Sequence, residues 1–331
     1  MTPLPGSPTP RRRVRGRWHG TDTVFQYAVR AAAALVIVVL VATAVFLVQQ
    51  AWPALRQYGI LSYLLSDRWA PSEATATGRH PNPYGIAQFA YGTAVTSLIA
   101  MVLAVPVAVA VSLYLTEIAP RWLRRWLSGL VDLLAAIPSV VYGFWGIFAL
   151  IPAVRPAGVW VSRTLGTAPV IGPLFAGPFF GVSYLVAGLV LAIMILPIIT
   201  AICREVFATV PTEDKESALA LGATRWEMVR MAVLPRSRSG IAGAAVLGLG
   251  RAVGETIAVT MVIGNNALSI TTSLLGPGAT MASVIANEFT ESTEPFHLQS
   301  LMVVGAWLLV IALAVNTVGK LIVRRTREDI A

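Results

Sequence analysis

Residues 211–235, PTEDKESALALGATRWEMVRMAVLP, form a polar stretch inside an otherwise strongly apolar chain. Of the 331 residues, 56% are hydrophobic and only 12% are charged, against about 25% charged in an ordinary soluble domain. Long apolar runs lie on both sides of the polar stretch. The composition therefore predicts a membrane protein with several spans, in which this stretch is a loop outside the bilayer.

Six apolar runs are long enough to cross a bilayer as a helix, which needs roughly 20 residues. They lie at residues 28–48, 90–115, 128–152, 179–203, 239–264 and 299–323. The expected fold is all-α with six transmembrane helices. Its predicted parts are a disordered basic tail (1–27), a first helix (28–48), an extracytoplasmic segment (49–89), a core of five helices (90–323) and a C-terminal tail (324–331).

The basic residues predict the orientation of the chain. Most Lys and Arg lie in the N-terminal tail, the 116–127 turn, the 204–238 loop and the C-terminal tail. The opposite segments hold only Arg56, Arg68, Arg79, Arg155 and Arg163. By the positive-inside rule, both termini and the 204–238 loop are expected in the cytoplasm. This topology accounts for the net charge of +9, so no nucleic-acid partner is expected.

The first half of the polar stretch predicts a short helix. Thr212 is placed to cap its N-terminus, and Glu213 and Asp214 would stabilise the positive end of the helix dipole. Gly222 is placed to end the helix as a left-handed residue.

The second half predicts another helix. Thr224 and Glu227 have the spacing of a capping box, and Pro235 is expected to stop the helix. Apolar residues recur at helical spacing at Trp226, Val229 and Val233. On spacing alone, a helix pair resting on lipid headgroups and a pair that docks a partner explain the pattern equally well.

The fifth apolar run carries Arg251 and Glu255 near its middle. A charge there costs at least about 2.5–3.5 kcal/mol on insertion scales. A spacing of four would place the two on one helix face, as a structural ion pair or as contacts on a polar pathway. Arginine suits an oxyanion because its guanidinium gives two parallel charge-assisted bonds. Glu255 is expected to orient Arg251, and Gly250 and Gly254 to permit close helix approach.

Other sites are not indicated by the sequence. Cys203 is the only cysteine and the three histidines are far apart, so no disulfide framework, metal motif or redox motif is expected. The chain contains no G-x-x-x-x-G-K-[ST] loop, so it is not expected to hydrolyse ATP itself.

The polar stretch resembles the EAA loop of ABC importer permeases. The family motif runs E-A-A, three residues, G, nine residues, I-x-L-P. In this chain the corresponding residues are Glu216-Ser217-Ala218, Gly222 and Ala232-Val233-Leu234-Pro235. Ser217 and Ala232 replace the usual Ala and Ile. The resemblance implies a type I ABC importer permease fold. It also implies coupling to a cytosolic ATPase through Glu216, Ala218, Gly222, Thr224, Leu234 and Pro235.

Three stretches resemble the phosphate importer permeases of the Pst system, PstC type: 135–146 (AAIPSVVYGFWG), 210–226 (VPTEDKESALALGATRW) and 247–265 (LGLGRAVGETIAVTMVIGN). The resemblance implies a permease subunit of an ATP-driven inorganic phosphate importer in the bacterial cell membrane, with Arg251 and Glu255 on the substrate pathway. The implied partners are membrane lipid, a PstA-type permease, two copies of a PstB-type ATPase and a PstS-type phosphate-binding protein.

No cofactor is expected in this chain, because the resemblance implies that the partner ATPase holds ATP and Mg. The residues alone leave other functions open. One is an importer of another oxyanion, such as sulfate or molybdate, since the EAA loop does not select the cargo. A second is an ion-coupled secondary transporter, which would need no ATPase.

Overall fold

The computed structural model describes residues 19–71, 83–268 and 270–328. Within these ranges the chain is helical, with two isolated β-bridges and no strand. It divides into two compact units, one up to Phe46 and one from Leu47 onward. The predicted all-α class is confirmed, as expected for a chain whose backbone must satisfy its own hydrogen bonds in hydrocarbon.

The helices are numbered in chain order. The first seven are α1 (His19–Tyr58), α2 (Ile60–Leu65), α3 (Ala87–Leu113), α4 (Arg121–Ala136), α5 (Ser139–Trp145), α6 (Ile151–Leu165) and α7 (Gly172–Phe175). The next seven are α8 (Tyr184–Ala208), α9 (Thr212–Ala220), α10 (Arg225–Met228), α11 (Leu234–Gly254), α12 (Ile257–Ile263), α13 (Met281–Glu288) and α14 (Pro295–Glu328). Wider π-helical turns are π1 (Tyr114–Ile118), π2 (Gly146–Leu150) and π3 (Val229–Val233). Of these, π2 and π3 each join two α-helices end to end, and π1 extends α3.

Six membrane spans are present when one bent helix pair is counted as a single span. Five straight candidates run over Thr23–Tyr58, Ala87–Ile118, Ser139–Leu165, Tyr184–Ala208 and Pro295–Arg324. The sixth combines Arg225–Gly254 with Ile257–Ile263, and these two parts meet at 63°. The predicted continuous span over 239–264 is therefore wrong in one respect, because the helix is broken inside it.

The terminal helices are longer than predicted. α1 already includes residues 19–27, which were expected to be disordered, and it continues past residue 48 until Gly59 adopts a φ of 78°. No glycine or proline separates residue 27 from residue 48, so nothing stops the helix at those points. α14 likewise continues through Glu328. Residues 1–18 and 329–331 of the two predicted tails lie outside the described residues.

The third span is displaced from the predicted 128–152. Ile137 is extended with a ψ of 129°, because the following Pro138 disfavours helix at the residue before it. The span then runs over Ser139–Leu165, so residues 153–165 are helical instead of loop. α4 becomes a separate amphipathic helix. Its large exposed apolar side chains are Trp122, Trp126, Leu130, Leu133 and Leu134.

The core of the second unit is centred on α8, which packs against α3, α4, α11 and α12. A side chain at Gly248 of α11 would meet the Ile199 side chain of α8 at 2.6 Å, so this glycine permits the close approach of the two helices. The prediction assigned that role to Gly250 and Gly254 and is wrong. A Cβ on Gly250 would lie 3.6 Å from the Asn316 Oδ1 atom, and one on Gly254 would have nothing within 4 Å.

Candidate functional site

The polar loop after α8 begins with α9. Its N-cap is Pro211, and no side chain caps the helix, so the predicted Thr212 cap is wrong. Thr212 is instead the first residue of the helix, which starts where Pro211 supplies a fixed φ of −56°. Glu213 and Asp214 occupy the first turn as predicted, next to the positive end of the helix dipole.

Gly222 reverses the chain after α9. Its φ of 85° confirms the predicted left-handed residue. A Cβ at this position would have nothing within 4 Å, so the requirement for glycine is set by backbone conformation and not by space.

The predicted capping box starts α10. The Glu227 N–H donates to Thr224 Oγ1 at 3.3 Å, and the Thr224 N–H donates to Glu227 Oε2 at 2.8 Å. The predicted apolar face is only partly correct, because Val229 and Val233 are buried whereas Trp226 is 64% exposed.

Pro235 does not end the second helix, contrary to prediction. It lies at the start of α11, and the helical course continues from Arg225 through π3 to Gly254. A proline inside a helix has no N–H group, so one backbone hydrogen bond is missing. The π turn directly before Pro235 changes the hydrogen-bond register at this point, and the helix continues beyond the proline. The loop helix and the fifth span are thus one continuous rod.

Two ion pairs hold the loop against the rest of the second unit. Lys215 Nζ lies 2.7 Å from Glu117 Oε1 in π1, and the Arg236 guanidinium in α11 binds the Asp214 carboxylate. Glu117 was not among the functional residues predicted from the sequence. Its one signal was an acidic side chain at the very end of an apolar run, and the sequence contained nothing to link it to a lysine 98 residues later.

The predicted coupling residues divide between the surface and the interior of the loop. Ala218 is 9% exposed and packs into the core. Leu234 and Pro235 are half-buried, while Glu216, Gly222 and Thr224 are exposed. Leu221 at 90% and Trp226 at 64% are large exposed apolar side chains beside them. The loop therefore has a rigid buried side and an apolar surface available to a partner.

The helix break separates Arg251 from Glu255. α11 ends at Gly254, and Glu255 is extended with a ψ of 127°. Its carboxylate accepts from the Ala258 N–H at 3.3 Å, which places it at the N-terminus of α12. No ion pair joins Arg251 to Glu255 among the described residues, so the predicted offset of one charge by the other is wrong. The broken helix no longer carries the two residues on one face.

Arg251 is an exposed cation in the last turn of α11. It makes no ion pair with any described side chain, and the negative end of the α11 dipole favours its charge. The Tyr142 hydroxyl is within electrostatic range of Arg251 and donates to the Leu134 carbonyl at 2.7 Å. A free guanidinium at a break in an apolar span can bind an oxyanion through two parallel hydrogen bonds.

Known proteins resemble this chain over most of its length. The profile of the family described as "Binding-protein-dependent transport system inner membrane component" matches residues 104–328. The phosphate transport system permease protein PstC of Xylella fastidiosa (strain 9a5c) is 45% identical over 305 residues, covering 92% of this chain and 91% of that protein. The protein of the same name from Mesorhizobium japonicum is 41% identical over 326 residues, covering 97% and 96%.

A solved structure shares the fold. A bacterial alginate ABC transporter, in complex with its alginate-pentasaccharide-bound periplasmic protein, contains a chain that matches with a TM-score of 0.51. The two are 15% identical, and the match covers 93% of this chain and 98% of that one. The helical core, the loop and the sequence matches lead to one conclusion: the chain belongs to the family of binding-protein-dependent transport system inner membrane components, as a multi-pass permease subunit of the ABC importer class.

Proposed function

We propose that this chain is the PstC-type permease subunit of an ATP-driven inorganic phosphate importer. Relatives that share 41–45% of their residues with it over more than nine-tenths of its length are named phosphate transport permeases. The observation that carries the proposal is the position of Arg251, which is exposed and unpaired among the described residues at a break in an apolar span.

Arg251 acts as a transient phosphate contact on the translocation pathway. Its guanidinium replaces part of the hydration shell of the anion through two charge-assisted hydrogen bonds. Glu255 has the wrong sign to bind phosphate, and its carboxylate caps α12. Its charge keeps the local potential from becoming strongly positive, so that phosphate leaves after it has bound. High selectivity resides in the binding protein, because a tight site in the span would slow release.

The loop from α9 to π3 transmits motion from a cytosolic ATPase. Glu216, Gly222 and Thr224 lie on its exposed side. Ala218, which is buried, and Leu234 and Pro235, which are half-buried, lie on its inner side. ATP and Mg are bound by two copies of a PstB-type ATPase. A PstA-type permease completes the pathway, and a PstS-type protein delivers phosphate. The distribution of Lys and Arg supports an orientation with both termini and the loop in the cytoplasm of a bacterial cell.

Uptake of radiolabelled phosphate tests the proposal in cells that lack the chromosomal permease and carry this chain or a variant. Arg251→Ala should lower uptake by roughly 30- to 150-fold, from the loss of about 2–3 kcal/mol of charge-assisted bonding, with assembly retained. Arg155→Ala, which removes an exposed arginine of α6, is the matched control.

Competition between anions identifies the cargo, and uptake in the absence of the ATPase identifies the energy source. Unlabelled phosphate should suppress uptake, and equal excesses of sulfate or molybdate should not. Normal uptake by Arg251→Ala would remove Arg251 from the pathway, and equal competition by sulfate would remove the phosphate assignment. Uptake that persists without the ATPase and collapses with the ion gradient would identify a secondary transporter instead.

A further inference from the structure

A groove of about 840 Å³ lies between α8, α11 and α14. It is at the end of these helices that adjoins the loop from α9 to π3 (residues 212–233, hereafter the coupling loop). One wall is formed by Ile202 and Val206 of α8 and by Thr209, which directly follows this helix. The other walls come from the first turns of α11 and the last turns of α14. The groove does not include Arg251 or Glu255, so it is separate from the proposed phosphate contact.

Three cations line one end of the groove: Arg236 of α11, and Lys320 and Arg324 of α14. Lys320 and Arg324 are four residues apart on one helix face and exposed, and neither makes an ion pair with a described side chain. Arg236 pairs with Asp214. Two positive charges at this end are therefore not neutralised by the described side chains.

The remainder of the groove is mostly apolar and follows the helix axes. Its uncharged polar residues are Thr209, Ser239 and Asn316. On α11 it extends from Arg236 to Leu247, a distance of roughly 16 Å at the rise of an α-helix. Glycines form part of its floor. A Cβ on Gly243 would meet only the Val323 Cγ2 atom, at 3.9 Å, so the space above this glycine is open.

We propose that the groove binds one anionic phospholipid, with its phosphate at Lys320 and Arg324 and an acyl chain along α11. A free inorganic phosphate would gain nothing from the apolar wall, and a neutral hydrocarbon chain would gain nothing from the cations. A phosphodiester joined to an acyl chain matches both ends of the groove. Basic pockets between transmembrane helices recognise such headgroups by charge.

The bound lipid stabilises the coupling loop as well as the spans. Arg236 lines the groove and also binds Asp214 in the first turn of α9. A headgroup beside Arg236 therefore lies next to the ion pair that holds α9 against α11. This site goes beyond the proposed transport function and is independent of the cargo.

Native mass spectrometry of the purified full chain, alone and with its partner subunits, tests the site. The probes are phosphatidylglycerol, phosphatidylcholine with the same acyl chains, glycerophosphoglycerol without acyl chains, and inorganic phosphate. Phosphatidylglycerol should bind one per chain and more tightly than the other three. Lys320→Gln with Arg324→Gln should weaken it about 25-fold, at roughly fivefold per basic side chain removed.

Two further variants separate lipid from phosphate. Gly243→Leu fills the open floor and should displace phosphatidylglycerol. Gly129→Leu, at a glycine outside the groove with nothing within 4 Å of an added Cβ, should not. Arg225→Gln with Arg230→Gln is the charge-matched control outside the groove. If the Lys320 and Arg324 double variant does not fold, Gly243→Leu alone decides.

Several outcomes would overturn the proposal. Equal binding of phosphatidylcholine would remove the role of charge. Equal binding of inorganic phosphate or glycerophosphoglycerol, or no effect of Gly243→Leu, would make the groove an anion site without an acyl chain. Lipid bound by the isolated chain but absent from the full complex would mean that a partner subunit covers the groove.

Discussion

Lys215 of α9 and Glu117 of π1 form an ion pair, with Nζ and Oε1 2.7 Å apart. Both side chains are largely buried, at 18% and 8% exposed. Because π1 extends α3, this pair connects the coupling loop to the second span, whereas the backbone connects it only to α8 and α11. A displacement of α9 therefore acts on three spans of the second unit.

Glu117→Gln should weaken this connection. The variant leaves the Lys215 ammonium largely buried without a counter-charge, so we expect a loss of roughly 2–3 kcal/mol in the free energy of unfolding and reduced ATP-dependent uptake. Thermal unfolding of the purified chain and uptake at fixed ATPase content measure the two effects. Glu205→Gln, at a glutamate 76% exposed, is the control. An unchanged melting temperature in Glu117→Gln would mean that the pair contributes no stability.

Gly222→Ala should distort the turn between α9 and α10. A left-handed φ of 85° costs an alanine about 1–2 kcal/mol, and no side chain obstructs the position, so the cost is conformational. Gly222→Asn should cost less because asparagine tolerates this region better. The amount of ATPase that co-purifies should be highest with Gly222, lower with Gly222→Asn and lowest with Gly222→Ala. Equal recovery of ATPase with all three residues would contradict the proposed role of the turn.

Trp226→Ala should weaken ATPase binding without destabilising the chain. Exposed tryptophans at the centre of a docking surface commonly contribute at least about 2 kcal/mol of binding free energy, or roughly 30-fold in affinity. Trp160→Ala is a matched control, because Trp160 in α6 is also 64% exposed. Titration of the purified ATPase onto both variants in lipid nanodiscs measures the difference. A similar affinity for both would place the docking surface elsewhere on the loop.

Glu255 has two separable properties, its charge and its hydrogen bond. Glu255→Gln keeps an oxygen that can accept from the Ala258 N–H and removes the charge; we expect tighter phosphate retention and slower release. Glu255→Ala also removes the acceptor and should cost about 0.5–2 kcal/mol of stability. Thermal unfolding and phosphate efflux from loaded proteoliposomes distinguish the two variants. Release at the normal rate from Glu255→Gln would show that the charge does not limit phosphate departure.

The local signals in the loop predicted its backbone well. The Thr224–Glu227 capping box and the left-handed Gly222 depend on neighbouring residues alone, and both are present. Hydropathy likewise identified the spans because a bilayer requires apolar length. The ion pair between Lys215 and Glu117 depends on the packing of distant segments, which local patterns do not encode.

The failed predictions at Pro235 and at the Arg251–Glu255 pair have a common physical cause, which is a change of helical geometry. The π3 turn directly before Pro235 keeps this proline inside a continuous helical course, so the helix does not stop there. The break after Gly254 removed the face on which Arg251 and Glu255 were expected to pair. Composition gave no warning of the break, since glycines are frequent throughout this span.

The continuity of the helix from Arg225 to Gly254 has a mechanical consequence. A flexible linker would have to become extended before it could transmit a displacement of the loop to the membrane span. Here the hydrogen-bonded helix is roughly 45 Å long and continuous. A displacement of the helix at Trp226 therefore displaces Arg251 without delay. The rod ends at the 63° bend beyond Gly254, so a displacement of α10 would move the Arg251 guanidinium relative to α12.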